Sequence, residues 1–341
     1  MAQLRHCGHP PSNLPERIPG RVWLTPPGVQ PTFRGRNALP ARTFRDRARP
    51  EGSLITEVLP LPQPPPPQPG GPKPKILEGV KSIVAVASGK GGVGKSTVAT
   101  NLALALAGDG SSVGLMDADI YGPSIPLMLG INKPPSVTPE RKLIPLERFG
   151  LKLVSMGFLT NDDSPIIWRG PMVHGIVQQF LSDVLWGDLD YLIIDLPPGT
   201  GDAQLTLTQV APLSGAVIVT TPQDVALLDA RKGLRMFEQV NVKVLGIVEN
   251  MSIFVCPHCG KQTDIFSTGG GEQCAAELGV PFLGRIPIDP AIRECGDTGK
   301  PIVAARPEHA VSKAFAGIAR GLVGPLEEIR QATPLDLPLI R

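Results

Sequence analysis

Between Gly89 and Ser96 the chain reads G-K-G-G-V-G-K-S, followed by Thr97. Glycines at that spacing, closed by a lysine and a hydroxyl, are phosphate chemistry. Without side chains, Gly89, Gly91, Gly92 and Gly94 let backbone amides turn inward around an anion. A helix opening at the lysine adds the positive end of its dipole. Lys95 is expected to reach the β- and γ-phosphates of ATP, and the Ser96 hydroxyl to ligate Mg²⁺. Lys90, Val93 and Thr97 complete the expected nucleotide-binding loop, and the reaction it serves is ATP hydrolysis. Acidic residues complete the set. Asp195 ends the apolar run Tyr191 to Ile194 and precedes L-P-P-G-T-G-D, residues 196–202. An aspartate at the tip of a buried strand beside a phosphate loop can hold a metal-bound water, the role expected of Asp195. Asp119, supported by Asp117, is expected to orient the attacking water or contact the metal, although a turn cap also explains Asp117. Gly199 is placed to offer its amide to the γ-phosphate.

These residues need a scaffold, and the apolar runs supply one. Ser82–Ser88 reads as a buried strand feeding the loop, and Lys95–Ala107 as the helix after it. Further short apolar runs lie at Val113–Met116, Leu151–Met156, Tyr191–Ile194, Ala216–Thr220 and Lys243–Val248, with helical stretches at Pro171–Leu185 and Ala226–Val240. Such alternation predicts an α/β fold, a doubly wound, mostly parallel sheet with helices on both faces. Ligands on such sheets sit at the carboxyl ends of the strands.

The bulk composition narrows the function further. Apolar residues make up 42% of the chain, enough for a large core, but aromatic residues only 4%, few for a base-stacking surface. Residues 1–75 carry 11 Lys and Arg against 4 acids, and the remainder 22 against 27, so the +2 overall conceals a mildly acidic folded part. Nucleic acid is therefore not expected as a partner. No apolar run reaches 18 residues, so neither is a membrane. Nine of the fifteen residues from Pro60 to Pro74 are proline, an extended linker. The arginines before it suit an organelle-targeting presequence, yet prolines at 10, 11, 15, 19, 26 and 27 break the amphipathic helix such peptides need. The expected organisation is a disordered Arg/Pro-rich tail over 1–79, a P-loop domain over 80–330 and a flexible end over 331–341. The expected compartment is the cytoplasm, or the mitochondrial matrix if the tail is a presequence.

Five cysteines, at 7, 256, 259, 274 and 295, do not make a secreted disulfide framework. Cys256-Pro-His-Cys259 is a C-x-x-C pair that can grip a metal or cluster. A zinc ribbon requires a second such pair, and only single cysteines follow. A redox pair belongs at a helix start. Alternatively, two thiolates from each chain of a symmetric dimer make the four that a [4Fe–4S] cluster takes. His258 is a further candidate ligand. Cys274 and Cys295 read as ordinary buried thiols, with assistance to the cluster as the alternative, and Arg169 as either a phosphate or interface contact or a structural salt bridge.

The early lysine in K-G-G-x-G-K-[ST] resembles the loop of the ParA/MinD-like ATPases. That resemblance implies dimerisation face to face across the nucleotide, with Lys90 crossing to the partner's phosphates. It also points to Asn250 and residues 287–289 for adenine. The fuller set ASGKGGVGKST, DADIYGPS, IIWRGPM, DYLIIDLPPGTGD, TTPQDVAL and ENMS, then C-P-H-C, is similar to the Mrp family of iron–sulfur carrier ATPases over about 80–305. This similarity implies a homodimer that binds ATP, Mg²⁺ and a bridging [4Fe–4S] cluster on Cys256 and Cys259, and hands the cluster to client apoproteins. Many bacterial members carry a small α/β domain ahead of the ATPase, of which residues 1–75 show no trace. The competing expectation is a partitioning or positioning ATPase of the ParA/MinD type. It predicts a basic surface or an amphipathic C-terminal helix, whereas 327–341 holds prolines and little basic charge.

Overall fold

A strand whose residues are buried on both faces reads as a continuous apolar run, and β1 (Val80–Ala87) has six such residues in succession. Ile83, Ala85 and Ala87 enter one core, while Val84 and Val86 enter the other. The computed structural model describes residues 77, 79–120, 122–158, 170–256 and 258–332. The expectations for residues 1–76, for Arg169 and for 333–341 lie outside these.

From β1 the chain passes through α1 (Lys95–Gly108), β2 (Val113–Asp117), α2 (Ile125–Met128), the short strands β3 (Ser136–Val137), β4 (Leu143–Ile144) and β5 (Leu146–Arg148), and β6 (Leu151–Ser155). It continues through α3 (Gly170–Ser182), β7 (Leu189–Asp195), α4 (Asp202–Val210), β8 (Gly215–Thr220), α5 (Asp224–Gln239) and β9 (Val244–Glu249). A hairpin of β10 (Phe254–Val255) and β11 (Gln262–Thr263) follows. The chain ends with α6 (Gly270–Leu278), β12 (Phe282–Arg285), α7 (Pro290–Asp297), α8 (Ile302–Ala305) and α9 (Ala310–Ala332).

The main sheet has eight strands in the order β12-β9-β8-β1-β7-β2-β6-β5, parallel throughout except for β5 at one edge. Helices α3, α4, α5 and α6 cover one face through residues such as Phe180, Leu207, Phe237 and Ala275. Helices α1, α7, α8 and α9 cover the other through Leu102, Ala291, Ile302 and Phe315. Three layers with two cores result. The paired register places Asp117 opposite Asp195 and Thr220 opposite Glu249, so the polar strand tips share one edge of the sheet. After β1 the chain moves through α1 toward β2, and later returns to β8 on the other side of β1. This change of direction opens the crevice in which α/β sheets bind ligands.

The expected parallel sheet and its long helices are present, with two local differences. The helix expected over Pro171–Leu185 ends at Ser182, because Val184 leaves it to bridge Leu143. The sequence reading also stopped before the C-terminal helices. Helix α9 runs to Ala332, two residues past the boundary expected for the domain. Its apolar stripe of Val311, Phe315, Ile318, Leu322 and Leu326 is buried in the core beside α1, and so is not a free amphipathic face. Truncation inside that stripe tests this placement. Phe315→Ala should cost about 3–5 kcal/mol, the usual range for emptying a buried aromatic site. The measurement is the urea midpoint of unfolding; a change under about 1 kcal/mol would mean that α9 is peripheral.

Candidate functional site

The loop after β1 is held by close backbone approaches. A Cβ on Gly89 would lie 2.2 Å from the backbone of Asp229 in α5, so only glycine lets the loop press against that helix. Gly94 has a left-handed φ of 81°, and a Cβ there would lie 2.3 Å from Asn250 Nδ2. Asn250 fills the space that glycine leaves and donates from Nδ2 to the Val93 carbonyl at 2.8 Å. Gly94 also opens α1, whose first amides have no side-chain cap. Those amides and the helix dipole favour an anion in the loop. A cavity of about 230 Å³ lies over them, lined by Gly91, Gly92, Lys95, Ser96, Thr97, Asp119 and Pro198 among others.

Charge converges beneath this cavity. Lys95 is 5% exposed, with Nζ 2.7 Å from Asp195 Oδ1, 3.3 Å from Ser96 Oγ and 3.5 Å from Asp119 Oδ2. Asp195 is fully buried. Burial raises its carboxyl above the ordinary range, against the pull of the Lys95 charge and of hydrogen bonds from Lys95 and Ser96. Among the described residues its second oxygen, Oδ2, has no hydrogen-bond partner. An anionic oxygen unpaired in a dry site, beside a serine hydroxyl and a second carboxylate, fits a hard cation that takes oxygen ligands.

Asp117 is doing something different. Its carboxylate accepts from the Ser155 hydroxyl at 2.8 Å, the Asp119 amide at 3.2 Å and the Ile125 amide at 3.3 Å. It therefore ties β2 to β6 and fastens the turn into α2, which is the capping role, while Asp119 is the carboxylate that lines the cavity. Gly199 also departs from expectation in this conformation. Its amide donates to the Ser88 carbonyl at 2.9 Å, so 196–202 would have to move to offer that amide to a phosphate. Lys90 is half-buried, its carbonyl accepting from Ser88 Oγ at 2.9 Å, and no carboxylate pairs with its side chain among the described residues.

A second cavity, of about 470 Å³, adjoins the first and shares Gly94, Thr97 and Ser124 with it. Asn250 and residues 287–289, read from sequence as adenine contacts, stand together in its wall. Sequence reasoning missed Leu127, Met128, Met251 and Phe266, which make it largely apolar. Their only signal would have been exposure, which no sequence pattern carries: Leu127 is 67% exposed and Phe266 38%.

The cysteine pair sits at the same edge of the sheet, on the β10–β11 hairpin, seven residues beyond the end of β9. Cys256 is half-buried and Cys259 exposed. Amides of His258 and Cys259, and then the Cys259 side chain, hydrogen-bond the Cys256 sulfur and hold its thiol below the ordinary value. The hairpin is closed by Cys256 N–H to the Lys261 carbonyl at 3.0 Å and Gly260 N–H to the Cys256 carbonyl at 2.9 Å. Among the described residues no three His, Cys, Asp or Glu side chains gather into a metal-holding group, so His258 does not complete a site with the pair. Cys274 and Cys295 are buried in opposite cores, and burial pushes the Cys274 thiol up.

A phosphate loop after the first strand, a buried aspartate at the tip of β7 and a three-layer parallel sheet define a P-loop NTPase. The chain belongs to the ParA family: its residues 79–323 match the model described as the NUBPL iron-transfer P-loop NTPase. It is 58% identical over 250 residues to the iron-sulfur cluster carrier protein of Synechocystis sp., covering 72% of this chain and 71% of that one. It is 52% identical over 256 residues to the Arabidopsis thaliana iron-sulfur protein required for NADH dehydrogenase, mitochondrial, covering 75% and 82%. Among solved structures, the nucleotide-binding protein in complex with ADP from Archaeoglobus fulgidus is 42% identical with a TM-score of 0.62, covering 70% of this chain and 93% of that one. The cell division ATPase MinD of Pyrococcus furiosus shares the fold, with a TM-score of 0.55 at 24% identity, over 71% of this chain and 98% of that one.

The site carries a testable pH signature. Burial, with the Asp195 charge close by, pushes the Asp117 carboxyl up to about 7 from its ordinary 3.8. The folded protein then keeps a proton that the unfolded chain releases. The stability this contributes is complete below about pH 4 and is lost as the pH rises to about 7. Asp117→Asn, neutral at every pH, loses hydrogen-bond acceptors but should also lose this slope. Urea midpoints across that window should fall for the wild type relative to the variant as pH rises; parallel profiles refute the buried, protonated Asp117.

Proposed function

We propose that the chain is an ATP-hydrolysing iron–sulfur cluster carrier that holds a cluster at a dimer interface and delivers it to target apoproteins. One observation carries this reading: an outward-facing C-x-x-C hairpin springs from the same edge of the sheet as the phosphate loop. Two exposed or half-exposed thiols per chain, one of them held below the ordinary thiol value, suit a cargo that must arrive and leave. Four thiolates from two chains suit a [4Fe–4S] cluster, and the names of the Synechocystis and Arabidopsis relatives support an iron–sulfur cargo. Sparse free cysteines support a reducing compartment, the cytoplasm or, since the Arabidopsis relative is named as mitochondrial, the mitochondrion.

In the hydrolytic half, the nucleotide phosphates lie in the loop 89–97 and the base in the 470 Å³ cavity, against Asn250 and residues 287–289. Lys95 exchanges its bond to Asp195 for the phosphates, which carry more charge. Magnesium, when bound, would be held by Ser96 and the Asp195 side, where it neutralises phosphate charge. Asp119 holds the attacking water. The water oxygen forms its bond to the γ-phosphorus as the bridge to the β-phosphate breaks; ADP leaves with the bridging oxygen and the electron pair of that bond, and the water's protons pass to phosphate oxygens and solvent. Lys90 of the partner subunit supplies positive charge across the interface. A trans role suits a side chain one residue after Gly89, where a cis role would duplicate Lys95.

The cargo assignment is checked by anaerobic purification with iron, sulfide and zinc analysis. Cys256→Ser or Cys259→Ser should lose bound iron and sulfide while binding ATP as before. Stoichiometric zinc in place of iron in the wild type sinks the carrier reading.

The trans role of Lys90 makes a sharper demand. Lys90→Ala and Lys95→Ala homodimers should each hydrolyse ATP slowly, because charge stabilisation at the phosphoryl group dominates this chemistry. In a mixed dimer the Lys90→Ala subunit keeps its Lys95 and receives an intact Lys90 from its partner. Activity should recover toward about half of wild type per mixed dimer if sites fire independently. Mixed dimers that form yet show no recovery would make Lys90 a cis residue.

A further inference from the structure

The cysteine pair is carried on an arm whose neck is clasped by one buried carboxylate. Glu249, at the tip of β9, has no exposed surface. Its Oε1 accepts from the Ser252 hydroxyl on the outgoing limb and from the Gly269 amide, at 3.2 Å, where the return limb ends. Its Oε2 accepts from the Gly271 amide at 2.6 Å, at the start of α6. The hydroxyls of Ser252 and Thr268 lie 3.3 Å apart across the same neck, and Arg285 Nε is 3.5 Å from Glu249 Oε1. The outgoing limb is also laced to the segment after β12. Ser252 N–H donates to the Ile286 carbonyl at 3.0 Å, Ile288 N–H to the Ile253 carbonyl at 2.8 Å, and Phe254 bridges Ile288.

Both limbs reach the larger cavity. Met251, where the outgoing limb leaves Asn250, and Phe266, on the return limb after β11, line it together with Asn250 and Pro287. The outgoing limb is fixed by backbone hydrogen bonds. Phe266 takes part in no such bond among the described residues: it is a large apolar ring, 38% exposed, on a return limb that is exposed from Lys261 to Thr268. An aromatic ring so placed, at the wall of a largely apolar cavity sized for a heterocycle, has a flat π-face to offer.

We propose that Phe266 is a positioning residue that couples the two halves of the function within one chain: a purine base in the cavity packs on Phe266 and so sets the position of the return limb and of Cys256 and Cys259. This rests on the reading that the cavity takes the base. With Glu249 holding the neck, movement of the return limb is passed to the hairpin tip. Coupling of this kind is reciprocal, so a ligand on the thiols alters nucleotide affinity by the same factor.

The test uses the full-length chain freed of metal, with ADP and Mg²⁺ as the probe. The readout is the rate at which iodoacetamide alkylates Cys256 and Cys259, resolved by peptide, with buried Cys274 and Cys295 as slow internal references. Saturating ADP should slow both wild-type rates by about fivefold, the lower end of ordinary coupling between sites. Phe266→Ala should bind ADP more weakly and, at its own saturating ADP, show rates nearly independent of nucleotide. Phe266→Tyr, which keeps the ring, should regain the response, with the circular dichroism of both variants checked against the wild type. A response of wild-type size in folded Phe266→Ala overturns the coupling, as do wild-type rates that ignore bound ADP. Either result leaves the carrier reading intact, because no iron or sulfide enters the measurement. Failure of the wild type to bind ADP instead removes the base from the cavity, and both readings fall together.

Discussion

The site depends on a charge that cannot be left alone. Lys95 is buried, and its ammonium is stabilised by Asp195, which is itself fully buried. Desolvating two such groups costs several kcal/mol each, and breaking the pair by removing one partner costs about 3–5 kcal/mol. Such an arrangement persists only where the surrounding backbone holds both partners in place. Here β1 and β7 are adjacent parallel strands, with Val86 paired to Asp195, so the lysine loop and the aspartate tip emerge side by side. A buried pair with an unpaired oxygen on one side is also primed for exchange. Under the proposed function, phosphate charge would draw the lysine and a cation would take up the carboxylate.

The same geometry places everything else. In a parallel sheet all strands end at one edge, so β2 delivers Asp117 and Asp119, β9 delivers Glu249 and Asn250, and β12 leads into residues 286–289. These tips divide the labour by their hydrogen bonds. Asp117 and Glu249, both fully buried, accept several hydrogen bonds each and fasten turns, whereas the equally buried Asp195 keeps one oxygen without a partner among the described residues. The shallower Asp119 lines the cavity where a phosphate would lie. Glycine is required where backbone meets backbone or side chain, at Gly89 against α5 and at Gly94 against Asn250. Asn250 thus joins the phosphate loop to the larger cavity through a single hydrogen bond, only six residues ahead of Cys256.

Most of the scaffold was legible in the sequence because a strand buried on both faces is a local apolar run. The segments around Val84, Leu115, Ile193, Val217 and Ile247 are such runs, and each lies in the sheet. The short edge strand β5 and the hairpins are two or three residues long, too short to show a period. The C-terminal helices hid behind mixed composition, with Pro325 inside α9 arguing against a helix that the core nevertheless holds in place.

The sequence by itself determined the phosphate loop, its lysines, the strand-end aspartates and the C-x-x-C pair, because each is a local pattern of residue types whose chemistry needs no distant partner to be recognised. Only the tertiary structure decided their relations. It assigned Asp117 to fastening and Asp119 to the cavity, since two carboxylates two residues apart look alike until the donors around them are known. It turned the Gly199 amide onto Ser88, and it clasped the cysteine arm with Glu249. Hydrogen-bond partners that lie far apart along the chain are fixed by strand order and register, and these are set by packing over the whole domain.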